Sequence, residues 1–305
     1  MIDFVRLMDP KTIQISKSDM YFDDSSWTLE QKINGRRIQS LIVDDVSFAG
    51  RYARDGKENI NDFKYKFFKI YNDLKKMGLP NGTLLDGEVY LPGRPVSQTF
   101  QIINSDIDDA VRLQEQYGFL KYVIFDIIYL GNKSLVEKTL LYRRQQLEKI
   151  VQSTFNIELI KVIINNNDKR LFWKKILESR SEEKGVLFKF DESDYQFLKS
   201  KFWRKLKSFE TYDAVIVGFK LDEKYPDDFV SSIRVAQYRK RTLVPVANVS
   251  GLTREQADDF RSNMNLYMGK VIQFRSDSKT TNSYKNPQFD YLRPDKLPES
   301  CVWED

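Results

Sequence analysis

The chain contains no histidine among its 305 residues. That excludes Ser-His-Asp and Cys-His catalysis, histidine general bases and histidine-ligated metals. A single cysteine, Cys301, rules out an internal disulfide and a cysteine-cluster zinc site. Any metal must therefore be held by oxygen, which favours Mg²⁺ or Mn²⁺. No apolar run reaches the roughly 18 residues that would make a transmembrane helix the expectation. The opening segment MIDFVRLMDPKT lacks the apolar stretch of a signal peptide, so an intracellular, cytoplasmic protein is expected.

What remains is an ordinary globular composition, 41% hydrophobic and 30% charged, which argues against disorder. Lys and Arg (49) slightly exceed Asp and Glu (44), for a net charge of +5 that suits a polyanion partner without proving one. The catalytic vocabulary left is Lys, Arg, Asp, Glu, Tyr, Ser and Thr.

The hydropathy pattern reads as mixed helix and strand. Ile38 to Phe48 is rich in β-branched residues and reads as a strand or strand pair. Asp62 to Met77 carries apolar residues at helical spacing, with Gly78 as a stop. Thr83 to Leu91 and Lys121 to Leu130 read as strands, the second buried. Val136 to Val151 reads as a helix, Ile157 to Ile164 as a strand and Asp168 to Ser179 as a helix. Gly185 to Phe190 and Phe202 to Leu206 read as short strands. Beyond Lys207 short strands alternate with turns, interrupted by one helix over Thr253 to Asn263. That texture suits a small barrel of the OB type. A boundary near Ser208 gives domains 1–207 and 208–305.

Six places carry possible chemistry. Lys32 precedes a glycine turn and is flanked by Arg36 and Arg37. A lysine amine attacks only when neutral, and burial and neighbouring cations favour that form; a surface lysine in a basic hairpin has the same local sequence. Asp86-Gly87-Glu88 sits in an apolar run, where acids are costly unless they meet a metal, a sugar or a cation. Phe125-Asp126 lies at the centre of a buried run, where the ring serves the core or stacks on a base. Glu182-Glu183-Lys184-Gly185 leads into an apolar strand ending near Lys189. Trp203, Lys205 and Lys207 share one strand face, and two cations there need an anion such as a triphosphate. A solvated basic edge is the other reading. Arg293-Pro294-Asp295-Lys296 alone is only a charged turn.

Taken in order, these segments resemble the covalent nucleotidyltransferase superfamily, and within it the ATP-dependent DNA ligases. The K-x-D-G-x-R nucleophile motif of that family is similar to the stretch from Lys32 to Arg37, and its S-R-x-G-K segment to Ala53-Arg54-Asp55-Gly56-Lys57. Its D-G-E and F-D motifs stand at Asp86 to Glu88 and at Phe125-Asp126. Its E-G-V-x-x-K motif resembles Lys184 to Lys189, and its W-x-K-x-K motif matches Trp203 to Lys207. R-x-D-K matches Arg293 to Lys296, and an L-x-x-R-R-x-x-L helix runs from Leu140 to Leu147. Any one match is cheap; the ordered series spans nearly the whole chain.

The resemblance implies an α+β fold: an ATP-grasp-like adenylation (nucleotidyltransferase) domain of antiparallel sheets and helices, then a C-terminal OB-fold β-barrel. It implies nick sealing in duplex DNA through a lysyl-AMP intermediate, with ATP as AMP donor and Mg²⁺ or Mn²⁺ as metal. Such enzymes serve replication, repair and recombination. A monomer is expected, similar to the minimal ligases of viruses and phages and without a separate N-terminal DNA-binding domain. Lys32, Lys205 and Lys207 are the implied catalytic residues. Around the nucleotide it places Glu30, Gln31, Lys32, Arg37, Glu88, Phe125, Lys189, Lys205 and Lys207, with Arg293 and Lys296 orienting pyrophosphate. Glu88 and Glu183 are the implied metal ligands. Two basic stretches are expected on DNA phosphates, one holding Arg51, Arg54 and Lys57, the other Arg239, Lys240 and Arg241.

Two positions depart from the pattern. Asn34 replaces an aspartate, and Lys184 stands where a glutamate is usual, leaving Glu183 or Glu182 to supply that acid. An RNA ligase, an mRNA-capping guanylyltransferase and a catalytically weakened nick-binding protein are the alternatives.

Overall fold

The computed structural model of the chain describes residues 3–13, 15–50, 62–179, 185–222 and 229–303. The chain divides into two compact units, one ending at Leu206 and the other running from Lys207 onward.

In chain order the strands up to that boundary are β1 (Met8–Thr12), β2 (Trp27–Gln31), β3 (Arg36–Val43), β4 (Asp45–Gly50), β5 (Thr83–Tyr90) and β6 (Lys121–Leu130). Then come β7 (Lys133–Ser134), β8 (Ile157–Leu159), β9 (Val162–Ile163), β10 (Gly185–Phe190) and β11 (Leu198–Lys207). The helices are α1 (Asp19–Asp23), α2 (Phe63–Lys66), α3 (Phe68–Lys76), α4 (Val96–Asn104), α5 (Ile107–Tyr117), α6 (Leu140–Ile150) and α7 (Asn166–Glu178).

The strands form two sheets. One has the order β1-β11-β10-β2-β9; the other is β4-β3-β5-β6-β7, with β8 beside β6. The sheets are not purely antiparallel: β1 runs parallel to β11, and β8 parallel to β6. The period-two alternation of the strands builds the layers. On β3, Ile38 and Ile42 join the core under α2 to α5, while Leu41 joins Met8, Leu84, Phe125 and Trp203 in a second core shared by both sheets. Tyr21, Phe22 and Ile176 of α1 and α7 cover the other sheet through Leu29, Val186 and Phe188.

The strand pair expected over 38–48 is the β3–β4 hairpin, turned at Asp44 with φ 59°. The helix expected over 62–77 is broken at Phe67 (φ −100°, ψ 31°) into α2 and α3, and the chain leaves it through Gly78 at φ 62°. The strand expected over 157–164 is two short strands with different partners, β6 for one and β2 for the other.

The second unit carries β12 (Glu210–Leu221), β13 (Val230–Arg239), β14 (Thr242–Val249), β15 (Val271–Ser276), β16 (Ser278–Lys279), β17 (Tyr284–Lys285) and β18 (Gln288–Leu292), with helices α8 (Arg254–Ser262) and α9 (Met264–Tyr267). Its main sheet has the order β14-β13-β12-β15-β18, with antiparallel neighbours throughout. A parallel bridge between Ser250 and Gln288 joins the two outer strands and closes the sheet on itself. Three meandering strands, a helix and two further strands closed in this way make an OB-type barrel. Its core packs Ile216, Ile233, Val246, Ile272, Phe274 and Phe289 against Phe260 of α8.

Candidate active site

Lys32 leaves the end of β2. Its backbone N–H donates to the Gly185 carbonyl at 3.1 Å, which ties it to the start of β10. Its Nζ donates to Asn34 Oδ1. The next turn is tight. A Cβ on Gly35 would lie 2.1 Å from the Val89 carbonyl oxygen, so only glycine fits against β5. The Gly35 N–H donates to Glu88 Oε1 at 3.1 Å, linking the turn after Lys32 to the second acid of Asp86-Gly87-Glu88.

The Asp86-Gly87-Glu88 strand owes its form to alternation. A Cβ on Gly87 would meet both the Tyr122 ring and the Val123 carbonyl oxygen at 2.5 Å, while the acids on either side face the opposite way. Asp86 is fully buried and grips Arg37 at two points, Nε to Oδ1 at 3.0 Å and NH2 to Oδ2 at 2.6 Å. Tyr195 donates to the same carboxylate at 3.1 Å, and Arg37 NH1 donates to the Met8 carbonyl at 2.6 Å. The guanidinium lies 5.3 Å from the Phe125 ring centre and 5.4 Å from that of Trp203. Burial opposes its charge, but Asp86 outweighs burial and raises its pKa. Glu88 has no such clamp: burial pushes its acid up to about 7, against the pull of Lys32 and Arg37.

Beneath these groups lies a buried ionic layer. Glu30 is bound by Arg144 and by Lys189 Nζ, the latter at 2.6 Å. Lys189 is fully buried, its Nζ 4.0 Å from the Trp203 ring centre and 4.5 Å from that of Phe125. Burial lowers its pKa, and Glu30 only partly restores it. Asp126 receives Arg143 in a two-point bond at 2.8 and 2.9 Å. Helix α6, capped by the Thr139 hydroxyl, thus supplies adjacent arginines to two different strands.

Glu30, Gln31, Lys32, Arg37, Glu88, Phe125 and Lys205 all line one cavity of about 620 Å³ in the first unit. Asp9, Pro10, Phe100, Ile160, Leu187, Lys199 and Trp203 are also part of its wall. The size is that of a small-molecule site, and its chemistry is mixed: aromatic and aliphatic surface beside lysines, arginines and the carboxylates of Asp9, Glu30 and Glu88.

Residues 9–207 match the family model of the ATP dependent DNA ligase domain. The chain belongs to this family. The DNA ligase of Thermococcus fumicolans is 27% identical over 303 residues, covering 89% of this chain and 52% of its own. The chain therefore spans about half the length of that curated relative. The SPbeta prophage-derived DNA ligase-like protein LigB of Bacillus subtilis (strain 168) is 25% identical over 213 residues, covering 68% of this chain and 72% of its own. In fold the chain is similar to a solved Lig E DNA ligase, with a TM-score of 0.65 at 14% identity over 96% of this chain and 100% of that one.

Not every position expected from the ligase motifs reaches the cavity. Lys189 stands behind the wall, committed to Glu30 under two aromatic rings. The motif pairs Lys207 with Lys205 on a triphosphate; its anion here is Asp277. Arg293 and Lys296 lie in the second unit, both on Asp213. Arg239 sits 4.5 Å from the Trp303 ring centre and donates to Asn282 and Thr281, while Lys240 (φ 59°) and Arg241 are exposed at the β13–β14 turn. Arg51, Arg54, Lys57 and Glu183, with Glu182 and Lys184, lie outside the described residues.

Of the two expected metal ligands, then, Glu88 alone is described. No group of three or more Cys, Asp or Glu able to hold a metal occurs among the described residues. One carboxylate with an acid held near 7 by burial suits a cation whose other ligands are phosphate oxygens and water. Sequence reasoning missed Asp9, Pro10 and Ile160, which carry no motif signal and enter the wall because β1 and the β8–β9 connection pass there, and Leu187, which stands at an unspecified position of the motif on β10. Among the described residues no helix is long and apolar enough to cross a membrane.

Proposed function

We propose that this chain is an ATP-dependent DNA ligase that seals nicks in duplex DNA, carrying AMP on Lys32. The observation that supports this best is the grouping of Lys32, Glu88, Phe125 and Lys205 on one cavity wall in a chain of this family.

In the first step the neutral Lys32 Nζ attacks the α-phosphorus of ATP. A P–N bond forms, the P–O bond to pyrophosphate breaks and the lysine loses a proton. The AMP then passes to the 5′-phosphate at the nick, and attack by the 3′-hydroxyl joins the strands and releases AMP. Chemistry of this kind needs alignment and cancellation of phosphate charge. Asn34 directs the amine through its hydrogen bond to Nζ. Lys205, with Lys207 if it leaves Asp277, neutralises the α-phosphate. Phe125 stacks on the adenine, and Glu30 and Gln31 line the same cavity. Arg37 and Glu88 border the ribose. Glu88, with Glu183, would hold Mg²⁺ or Mn²⁺, which when bound supplies further charge cancellation on phosphate oxygens.

Residues 1–207 act as the adenylation domain and 208–305 as the OB domain. Nicked DNA is held through phosphates by Arg239, Lys240 and Arg241, together with Arg51, Arg54 and Lys57. The protein acts as a monomer inside the cell, where ATP and nicked DNA are found.

Incubation with α-labelled ATP and Mg²⁺, followed by denaturation, should leave label on the chain. Lys32→Ala should leave none. Label from GTP in preference to ATP would make the chain a capping enzyme. No label from either nucleotide in a folded protein would make it a nick-binding protein whose chemistry was lost through Asn34 or Lys184.

A further inference from the structure

We propose that Asp213 is a positioning residue that holds Arg293 and Lys296 as a stand-in for phosphate, and that ATP must take its place. This rests on the reading that those two cations serve the pyrophosphate end of ATP.

Asp213 lies on β12, and its side chain faces the turn that follows β18. Arg293 NH1 approaches both of its oxygens, at 3.1 and 3.4 Å, and Lys296 Nζ binds Oδ2. The other edge of the same guanidinium is held by Asp295, Nε to Oδ1 at 2.9 Å and NH2 to Oδ2 at 2.8 Å. The two acids therefore divide the work. Asp295, 62% exposed, fixes the direction of Arg293, while Asp213, 14% exposed, bridges both cations. A carboxylate gripped by a guanidinium and an ammonium presents the oxygen geometry that a phosphate would present.

Charge decides the sign of the effect. Two cations and two carboxylates sum to zero, so the turn as it stands offers a polyphosphate little net attraction. Removing the Asp213 charge while keeping its shape leaves a net +1 on partly buried groups, where a unit charge matters more than at an open surface. The same pairing recurs within the second unit at Lys207, whose ammonium is held by Asp277; Asn286 donates to that acid at 2.9 Å. Lys207, Arg293 and Lys296, three of the cations that the ligase motifs assign to phosphate, thus rest on carboxylates of the second unit.

The test uses the full chain and compares wild type, Asp213→Asn and Asp213→Glu, with Asp213→Ser as a second neutral variant and melting temperature as the fold control. Adduct formation is followed against ATP concentration, and pyrophosphate binding is measured by calorimetry without ATP. The neutral variants should lower the KM for ATP and tighten pyrophosphate about three- to tenfold, with little change in the maximal adduct rate. Asp213→Glu should keep the wild-type KM. Sealing of a nick that already carries AMP, which involves no pyrophosphate, should stay unchanged. A raised or unaltered KM together with unchanged pyrophosphate binding would overturn the inference and make Asp213 a plain structural anchor. Absence of wild-type adduct would sink the proposed function instead, and the pyrophosphate titration would still decide the role of Asp213.

Discussion

Arg37 and Asp86 form a two-point ion pair on the cavity wall, with N–O distances of 3.0 and 2.6 Å. The arginine that the ligase motif brings to the nucleotide is thus already committed to a fully buried carboxylate. Its fixed plane in turn spaces the Phe125 and Trp203 rings. Asp86→Asn should therefore cost about 3–5 kcal/mol of unfolding free energy, because it leaves a buried guanidinium uncompensated. The double variant Arg37→Met, Asp86→Leu should recover part of that loss. Urea unfolding checks both, and an Asp86→Asn protein of wild-type stability would show that the pair is dispensable.

Glu88 predicts a pH dependence. Its acid is raised from 4.5 to about 7, so the folded chain holds this proton more tightly than the unfolded chain. The contribution to stability is complete below about pH 4.5, declines as pH rises towards 7 and is flat above. Glu88→Gln removes this slope and should stabilise the protein at pH 7.5 by about 1–2 kcal/mol, allowing for the partial exposure of the group. In the wild type, adduct formation at low Mg²⁺ should carry a rising limb near pH 7 that moves lower as Mg²⁺ increases. The variant should lose that limb.

Gly87 predicts a steric effect. Alanine there would put a Cβ 2.5 Å from both the Tyr122 ring and a backbone oxygen. Since β5 cannot retreat without carrying Asp86 and Glu88 with it, Gly87→Ala should lose about 2–3 kcal/mol. Adduct formation should fall well beyond what that loss of folded protein explains. Chemical unfolding together with single-turnover adenylylation separates the two effects.

The exposed turn of the second unit predicts a salt effect. Replacing Lys240 and Arg241 by alanine should reduce the slope of log affinity for nicked DNA against log salt, by roughly 0.9 for each DNA phosphate these side chains neutralise. Arg239 is a different case. It is packed on Trp303 and bonded to Asn282, so Arg239→Ala should lower the melting temperature as well. Binding titrations at several salt concentrations decide the first point and thermal melts the second.

Some parts of the site are plain in the sequence and others are not. Two acids flanking Gly87 in an apolar run are legible because strand alternation is a local rule, and they do face the cavity side together. Trp203, Lys205 and Lys207 obey the same rule, yet Lys207 has a carboxylate of the second unit for a partner. No local rule forecasts that Asp277 is the nearest anion. Lys189 carries a motif signal but lies behind the wall, because Glu30 on the neighbouring strand holds it there. Strand β1 is not legible: it is short and contains Pro10, and its partner is β11, far along the chain. Helices α4 and α5 also escape the hydropathy reading, although an Asp106 cap and regular apolar spacing mark the second of them.

The sequence by itself determined the family and excluded histidine and cysteine-cluster chemistry. Without histidine, and with one cysteine, it left lysine and carboxylates to act, and the order of its motifs named the family before any coordinates did. Runs of apolar and β-branched residues marked most strands, though not that 38–48 turns at Asp44. Tertiary structure alone decided which charge meets which. Arg144 finds Glu30 across 114 residues, Arg37 finds Asp86 across 49, and Arg293 finds Asp213 across 80. Local sequence sets side-chain direction within an element, whereas the partner of a buried charge depends on which strands the fold brings side by side.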